Sequence, residues 1–248
     1  KGCVALRFDL PWENQWALED DYYDSEGNWI GQPAPEYREM RLNYKTHNGN
    51  LAKSRSDILP ANTIFLEIRK NDDELLKRMK SKTRYNIRLA LRHGIQVDTC
   101  GPEMLDTWYD LYHETAGGHN IRKHDKAYFY SVLTADTSDL KSDVETRLLM
   151  ARHEDQYLAA MFLLLSKNRG TYLYGASSRE KRRLMPTYAL QWEAVKQSRA
   201  AGCAEYDMFG TAPDANSSHP MHGLYRFKKG FGGIMFHRMG CWDYICDQ

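Results

Sequence analysis

The order of periodic segments in the second half of the chain is the strongest constraint on its fold. Apolar residues recur at helical spacing over residues 103–116 and again around 128–132, and three alternating segments joined by polar turns follow them. A helix that begins at Pro186, a short strand, another helix and closing strands complete the chain. Antiparallel strands followed by a crossover helix to a further strand form a mixed sheet with helices on its faces, so this order predicts an α+β fold. The predicted strands are 147–151, 158–166, 171–176 and 204–209, with closing strands from 234 onward.

The first part of the chain has fewer regular segments. Residues 3–9 predict a strand that Pro11 stops, and the stretch from there to Pro60 contains many glycines and prolines. A second strand is predicted at residues 63–68. Asn71 then begins a single helix whose first turn is acidic, and Gly94 ends it. The character of the sequence changes around residues 97–102, which we interpret as a domain boundary.

Composition excludes some classes of protein. The 248 residues include 34 basic and 33 acidic side chains, a formal net charge of +1, which argues against an indiscriminate nucleic-acid binder but leaves local basic patches open. The five cysteines are scattered and form no CxxC pair, so neither a zinc site nor a disulfide scaffold is indicated, and a reducing, cytoplasmic location fits best. The most apolar run, residues 158–165, is too short to cross a bilayer. The sequence opens without Met, so N-terminal targeting stays open.

Two stretches concentrate positive charge. Residues 223–233, GLYRFKKGFGG, combine three aromatic, three cationic and four glycine residues, a combination that favours a large anionic substrate. A helix that ends in glycine and carries solvated cations explains the same pattern. The helix after Asn71 confines its acids to the first turn and is cationic thereafter, which is typical of a solvated face or of contact with a phosphate backbone. Its cations are Lys77, Arg78, Lys80, Lys82, Arg84, Arg88 and Arg92.

Read together and in order, several segments resemble the FemABX family of aminoacyl-tRNA-dependent peptidyltransferases, which build the side branches of peptidoglycan. The resemblance covers about residues 6–242. The segments are KTRYNIRLA at 82–90 with Gly94 and Ile95, YLYGASS at 172–178, LMPTYALQW at 184–192, Gly202 and Cys203 with Tyr206, Asp207 and Gly210, and the stretch 223–233.

The resemblance implies a fold of two GNAT-like (acyl-CoA N-acyltransferase) domains with mixed, mostly antiparallel sheets flanked by helices. The first would comprise residues 1–97 closed by 232–248, and the second residues 98–231. Family members carry a further segment before the first strand, including a lysine that contacts uridine diphosphate, so the first domain is expected to be truncated at its N-terminus. No long heptad segment interrupts the second domain. That feature favours the compact members, which can act on a soluble nucleotide precursor.

The reaction implied by the resemblance is attack by a side-chain amine of a peptidoglycan stem peptide on the ester of an aminoacyl-tRNA. The ester is already activated, so the reaction needs no cofactor, metal or covalent enzyme intermediate. The implied partners are an aminoacyl-tRNA donor and an acceptor that is either UDP-MurNAc-pentapeptide or a lipid-linked precursor, with peripheral association of the enzyme with the membrane-bound form. What the protein must supply is alignment, removal of the amine proton and stabilisation of the tetrahedral oxyanion.

The resemblance also assigns roles to particular residues. Phe227 and Lys228 match the active-site pair, with Lys228 at the oxyanion, although a solvated Lys228 or a role for Lys229 in its place stays open. Either Arg122 or His124 contacts the acceptor diphosphate, and bidentate geometry favours Arg122. The further acceptor residues are Tyr128, Tyr174 and Tyr188, the tRNA-binding residues are Lys80, Lys82, Arg84 and Lys229 with the loop 179–183, and the candidates for accepting the amine proton are Asp207 and Glu193.

Two other functions compete with this one. An ordinary GNAT acetyltransferase would use an acyl-CoA thioester, but the basic loop 178–183 lacks the glycines of a pyrophosphate-binding loop. A non-catalytic relative would bind tRNA or peptide without turnover.

Overall fold

The computed structural model describes residues 4–13, 47–48, 51–117, 124–135 and 144–246. The chain divides into two compact units, the first comprising residues 1–64, 209–229 and 233–248 and the second residues 65–208 with 230–232. These units do not coincide with the domain ranges expected from the sequence, and those ranges stay a prediction.

The described residues form ten strands and six α-helices. The strands are β1 Ala5–Glu13, β2 His47–Asn48, β3 Leu51–Lys53, β4 Asn62–Glu67, β5 Gln96–Cys100, β6 Glu145–His153, β7 Gln156–Leu165, β8 Arg169–Ser177, β9 Glu205–Asp207 and β10 Ile234–Ile245. The helices are α1 Asp72–Arg78, α2 Ser81–Arg92, α3 Leu105–Gly117, α4 Lys126–Leu133, α5 Pro186–Ala200 and α6 His222–Lys229.

The sheet of the second unit confirms the fold predicted from the order of segments. Its strands lie in the order β4-β9-β8-β7-β6-β5. The β8–β9 pair is parallel, and α5 is the crossover between these two strands. The other pairs are antiparallel. The fold is therefore α+β with a mixed, mostly antiparallel sheet, because three hairpin-connected strands are followed by a single helical crossover.

The first unit contains a smaller antiparallel arrangement in which β10 lies between β1 and β3. Two sequence expectations are wrong here. The segment from Ile234 forms one strand of 12 residues rather than several. Strand β1 continues past Pro11 to Glu13, which lies opposite Arg238 after an irregularity in the register. Proline lacks an N–H and is tolerated in a strand where the pairing is irregular. Pro11 lies in the irregular part of the β1–β10 pairing, so the strand continues past it.

The core of the second unit is an aromatic cluster between the sheet and helices α3 and α4. Trp108, Phe129 and Phe162 have no exposed surface, and the Trp108 ring meets the other two edge-on at centroid distances of 5.4 and 4.8 Å. At ~25 cal/mol per Å², burying an aromatic side chain of this size stabilises the fold by roughly 4–6 kcal/mol. The helix expected from the apolar spacing over residues 103–116 is confirmed as α3, and the residues that produce this spacing are buried, namely Leu105, Trp108, Leu111 and Tyr112.

The cationic segment after Asn71 forms two helices instead of the predicted one. Asn71 caps α1 as expected, its side chain accepting from the Glu74 N–H at 3.0 Å. The chain then becomes extended at Met79, and the Lys80 N–H donates to the Gly230 carbonyl at 2.8 Å. This tertiary hydrogen bond replaces one that a continuous helix would make, and no local sequence signal reports it.

The Arg84 side chain caps the end of α1. Its guanidinium donates to the carbonyls of Leu76 at 3.5 Å and Lys77 at 3.4 Å, and also to the Met79 carbonyl. The last carbonyls of a helix lack partners within it and carry the negative end of its dipole, so a cation there is stabilising. Arg84 therefore has a structural contact, which is one of the two roles that the sequence leaves open for it beside binding of a partner.

A β-bulge in β8 sets the direction of its tyrosines. Phe162 of β7 lies opposite Tyr174, whereas the next residue, Leu163, lies opposite Tyr172. Leu173 is therefore the extra residue, and both it and Tyr174 pack against the aromatic cluster. Tyr172 turns the other way, with its hydroxyl so close to Gly175 that a Cβ there would lie 1.7 Å from it. Burial raises the pKa of Tyr172 to about 12. Bulges commonly re-aim side chains in this manner.

We expect Gly232→Ala to destabilise the protein more than Gly202→Ala. The φ angles are +86° and +87°, so each alanine meets the cost of a left-handed backbone, roughly 1–2 kcal/mol. A Cβ on Gly232 would also lie 2.4 Å from the Arg78 carbonyl oxygen, whereas one on Gly202 has no heavy atom within 4 Å. Urea unfolding should show an additional destabilisation of at least ~1 kcal/mol for Gly232→Ala. Equal destabilisation by the two variants would show that the end of α1 moves aside at no cost.

Candidate functional site

Lys228 lies on α6, the helix formed by the first part of the GLYRFKKGFGG stretch. Only 3% of its surface is exposed. Its Nζ donates to the Gly210 carbonyl at 2.7 Å and to the Phe209 carbonyl at 3.3 Å. A buried ammonium is costly unless polar groups replace its hydration, and these carbonyls do so. Lys228 is therefore a fixed, buried cation rather than a solvated one.

The loop that receives Lys228 has an unusual backbone. Phe209 has φ +61°, a left-handed conformation that costs a non-glycine residue roughly 1–2 kcal/mol. The surrounding contacts hold it there: the Thr211 N–H donates to the Asn62 carbonyl at 3.1 Å, and Gly210 lies against Pro60, where a Cβ would be 3.2 Å from its ring. Backbone strain maintained by its surroundings is a recognised feature of functional loops.

The neighbours of Lys228 on α6 differ from it in environment. Lys229 is half-buried, and its Nζ donates to the Gly233 carbonyl at 3.0 Å. Phe227 is half-buried, and Arg226 is exposed. Of the two adjacent lysines, Lys228 is thus the one whose ammonium is removed from solvent, which is the environment in which a cation interacts most strongly with developing charge.

The predicted acceptor residues His124, Tyr128 and Tyr174 lie together in the second unit. The His124 ring stacks on Tyr128, with centroids 4.2 Å apart and planes at 18°. The hydroxyls of Tyr128 and Tyr174 share a hydrogen bond of 2.6 Å. Burial and this hydrogen bond raise the pKa of Tyr174. Tyr174 therefore keeps its proton at physiological pH, and the two hydroxyls lie beside a stacked imidazole. Arg122 falls outside the described residues.

Two neighbouring tyrosines and one aspartate orient this group. The Tyr109 hydroxyl donates to the His124 carbonyl at 3.3 Å, and the Tyr112 hydroxyl accepts from the His124 N–H at 3.3 Å. Asp125 caps α4 by accepting from the Tyr128 N–H at 2.7 Å. His124 itself is exposed. The arrangement is a ring surface open to a ligand and supported by a buried cluster.

Tyr188 belongs to a different contact. Its ring stacks on Phe231, with centroids 6.0 Å apart and planes at 21°, and Phe231 is 2% exposed. Tyr128 and Tyr174 are joined by the hydroxyl contact described above, and the role of Tyr188 with them stays a prediction.

The other predicted residues have varied surroundings. Lys80 and Lys82 are exposed, as are Arg179, Arg182 and Arg183 of the basic loop, whose Arg179 N–H donates to the Glu114 carboxylate at 2.5 Å. Of the two candidate proton acceptors, Asp207 is 1% exposed, whereas Glu193 pairs with Lys196 at 2.6 Å. In the part of the chain that the structure describes, no three His, Cys, Asp or Glu side chains are grouped as metal ligands, and no helix is long and apolar enough to cross a membrane.

Sequence reasoning missed the groups that hold Lys228. Phe209 and Gly210 act through their backbone carbonyls, which carry no signal in residue type. Phe231 lies within the GLYRFKKGFGG stretch, but its contact with Tyr188 depends on tertiary packing. The signal in the sequence was the set of glycines in the GLYRFKKGFGG stretch, because glycines there predict a close approach of the backbone.

The amino-acid sequence is similar to those of two transferases. A lipid II:glycine glycyltransferase of Staphylococcus epidermidis is 26% identical over 294 residues, which cover 95% of this chain and 70% of that protein. A protein with this name from Staphylococcus aureus is 27% identical, with coverage of 84% and 64%. The chain thus spans only part of the length of the curated relatives that it matches.

Solved structures agree with this relationship. A crystal structure of FemX is similar at a TM-score of 0.69 with 25% identity, covering 77% of this chain and 63% of that one. The C-terminal domain of a putative lysylphosphatidylglycerol synthetase from Agrobacterium fabrum has a TM-score of 0.54 at 13% identity and shows a shared fold alone.

The Tyr128–Tyr174 contact predicts a measurable coupling. Tyr128→Phe and Tyr174→Phe each remove a hydroxyl and keep the ring, so a double-mutant cycle isolates the hydrogen bond. We expect a coupling free energy of about 0.5–1.5 kcal/mol in urea unfolding. The pair Tyr130→Phe and Tyr174→Phe is the control, because Tyr130 is exposed on the same helix, and its effects should add. A coupling near zero for the first pair would contradict the geometry.

A family model completes the comparison. The FemAB family matches residues 38–141 and 134–248, which together are most of the chain. This match confirms the resemblance read from the ordered segments, including KTRYNIRLA on α2 and the stretch that forms α6. The chain belongs to the FemAB family.

Proposed function

We propose that this protein is an aminoacyltransferase that adds an amino acid from aminoacyl-tRNA to the side-chain amine of a peptidoglycan precursor, in formation of interpeptide bridges. The relatives are named lipid II:glycine glycyltransferases, which supports transfer of an amino acid to such a precursor. The observation that carries the proposal is Lys228, a buried ammonium with a defined direction at the position that matches the family's active-site lysine.

The proposed step conserves atoms and charge. The acceptor amine attacks the ester carbonyl, so a C–N bond forms and the C–O bond to the terminal ribose breaks. The amine loses a proton and the departing ribose hydroxyl gains one. Lys228 stabilises the oxyanion of the tetrahedral intermediate, and Phe227 flanks it. Burial makes this interaction stronger than it would be in water.

The acceptor is proposed to bind at the rings of His124, Tyr128 and Tyr174. The exposed imidazole offers stacking and hydrogen bonding, and the two linked hydroxyls offer donors and acceptors to a sugar or peptide. Arg122 is proposed to bind the diphosphate, and Tyr188 to contact the peptide. The names of the relatives favour a lipid-linked acceptor, which would bring the protein to a membrane surface peripherally.

The tRNA donor is proposed to contact Lys80 and Lys82, which are exposed, and Lys229. The Arg84 guanidinium is committed to the end of α1, so it contributes positive charge near the helix surface while acting as a cap. For this reason charge reversal at Arg84 would report on folding as well as on binding, and Lys80 and Lys82 are the better test.

The decisive experiment supplies both substrates. The protein is incubated with radiolabelled aminoacyl-tRNAs and, separately, with UDP-MurNAc-pentapeptide and a lipid-linked precursor. Labelled acceptor would support the transferase and identify the amino acid and the acceptor form. Acylation that requires acyl-CoA would instead indicate a GNAT acetyltransferase, and binding without product would indicate a non-catalytic relative.

Lys228→Met should lower turnover by roughly a hundredfold while changing acceptor affinity little, because loss of one oxyanion donor acts on the transition state. Initial rates and the Kd of the acceptor are the measurements. Lys228→Arg keeps the charge and should retain part of the activity, and circular dichroism confirms that each variant is folded. Equal rates for Lys228→Met and the parent would remove Lys228 from the chemistry.

Reversing charge at Lys80 and Lys82 should weaken tRNA binding in a salt-dependent manner. For each phosphate that the variant no longer neutralises, the slope of log affinity against log salt should fall in magnitude by about 0.7–0.9. Lys167→Glu, on the exposed turn between β7 and β8, is the matched control and should leave the slope unchanged. If the double variant binds tRNA as the parent does, these lysines are a solvated surface.

A further inference from the structure

The exposed side of α2 presents a tyrosine among cations. Tyr85 has 56% of its surface exposed. Lys82 lies three residues before it, Arg88 three after and Arg92 seven after, so all four share one side of the helix, and all are exposed. The buried residues Thr83, Asn86, Ile87 and Ala90 occupy the opposite side. We call the first four residues the α2 face.

The charge on this face is uncompensated within the described residues. Helix α2 contains no acidic residue, and no described carboxylate pairs with Lys82, Arg88 or Arg92. Cations on other helices do have partners, for example Lys126 with Asp106, Lys196 with Glu193 and Arg199 with Asp72. The α2 face therefore differs from these paired positions on α4 and α5.

The cations of α2 destabilise this helix. Like charges four residues apart, such as Arg88 and Arg92, cost a helix about 0.2–0.5 kcal/mol. Lys80 and Lys82 lie at the helix N-terminus, where the dipole disfavours cations, and Lys80 provides no side-chain cap. A bound polyanion would offset each of these costs.

We propose that the α2 face binds unpaired nucleotides of RNA, with Tyr85 stacking on a base while Lys82, Arg88 and Arg92 contact phosphates. This inference rests on the proposed function, in which the donor is a tRNA. An exposed aromatic ring between cations is the arrangement by which proteins hold single strands, because every base has a π-face and its phosphates follow alongside. In a duplex the bases are stacked on each other, so Tyr85 would have nothing to stack on.

An anionic membrane surface is the competing partner for a basic helix. A helix that lies in a membrane interface needs a broad apolar side that enters the acyl region. The apolar side of α2 is buried in the second unit, with Ile87 at 2% and Ala90 at 0% exposure. The exposed apolar groups of α2 are Tyr85 and Leu91, which is 54% exposed, and two such side chains among cations form too narrow an apolar side for a membrane interface.

The test compares two RNA hairpins that share a stem, one with an unpaired 3′ overhang and one blunt-ended, by fluorescence anisotropy. Tyr85→Ala should weaken binding of the overhang hairpin about tenfold, as loss of one stacked base predicts, and leave binding of the blunt hairpin unchanged. Tyr85→Trp should retain the affinity. Arg88→Gln should lower the salt slope by about 0.7. Tyr130→Ala, equally exposed at 54% on α4, is the matched control and should change neither.

Several results would overturn the inference. Parental binding of the overhang by Tyr85→Ala would do so, as would equal weakening of both hairpins. Loss of binding to phosphatidylglycerol vesicles in Arg88→Gln with unchanged RNA binding would assign the face to membranes. If aminoacyl transfer occurs and Tyr85→Ala has an unchanged KM for tRNA, this inference fails while the proposed function stands. If no transfer occurs but overhang binding still depends on Tyr85, the proposed function fails and this inference stands.

Discussion

The hydrogen bonds from Lys228 to the Phe209 and Gly210 carbonyls are the interaction on which the first unit's candidate site depends. An ammonium removed from water is strongly destabilising unless it is solvated by the protein, and two carbonyl oxygens at 2.7 and 3.3 Å provide that solvation. Phe209, which supplies one of these carbonyls, has a left-handed backbone, and the neighbouring Thr211 N–H donates to the Asn62 carbonyl on β4. Lys228, the loop at Phe209 and strand β4 are thus linked by hydrogen bonds. The bonds to Lys228 stabilise the loop in a backbone conformation that is strained on its own.

In the second unit, packing rather than charge positions the candidate residues. Tyr174 reaches Tyr128 because the bulge at Leu173 turns two successive side chains toward one aromatic cluster. Phe129, which is fully buried, fixes α4, and α4 in turn carries Tyr128. Because the interior is close-packed, these rings have little freedom, and the hydroxyl pair is pre-organised at small entropic cost. The two candidate hydroxyls are therefore attached to a rigid hydrophobic support.

The sequence predicted the order of elements in the second half because hydrophobic periodicity is a local property, and the helix beginning at Pro186 and the cap at Asn71 are local as well. The predictions from sequence were wrong where contacts between residues distant in sequence determine the local structure. The break between α1 and α2 depends on Gly230 and on the Arg84 side chain, and the continuation of β1 past Pro11 depends on its partner β10. Lys228 was recognised as a candidate from its stretch and the family resemblance, but burial could not be read from a segment that also describes a solvated helix end. The grouping of Tyr188 with Tyr174 stays a prediction, and the contact of Tyr188 with Phe231 could not be read from the sequence because it depends on tertiary packing.

Lys228 and the exposed cations of α2 differ in burial. This difference suits Lys228 to stabilising charge in a transition state and the α2 cations to binding a substrate. Lys228 is fixed and buried, so its field is little screened by salt and acts over a short distance, which suits a charge that develops during reaction. Lys82, Arg88 and Arg92 of α2 are exposed, so salt screens them, and they would act on the charge that a polyanion carries before, during and after reaction. Uniform binding of that kind lowers KM without raising kcat, whereas an interaction formed only with the oxyanion raises kcat. Lys228, held by backbone carbonyls, and the α2 cations without a described carboxylate partner are therefore the two electrostatic features on which the proposed transfer from a large anionic donor would depend.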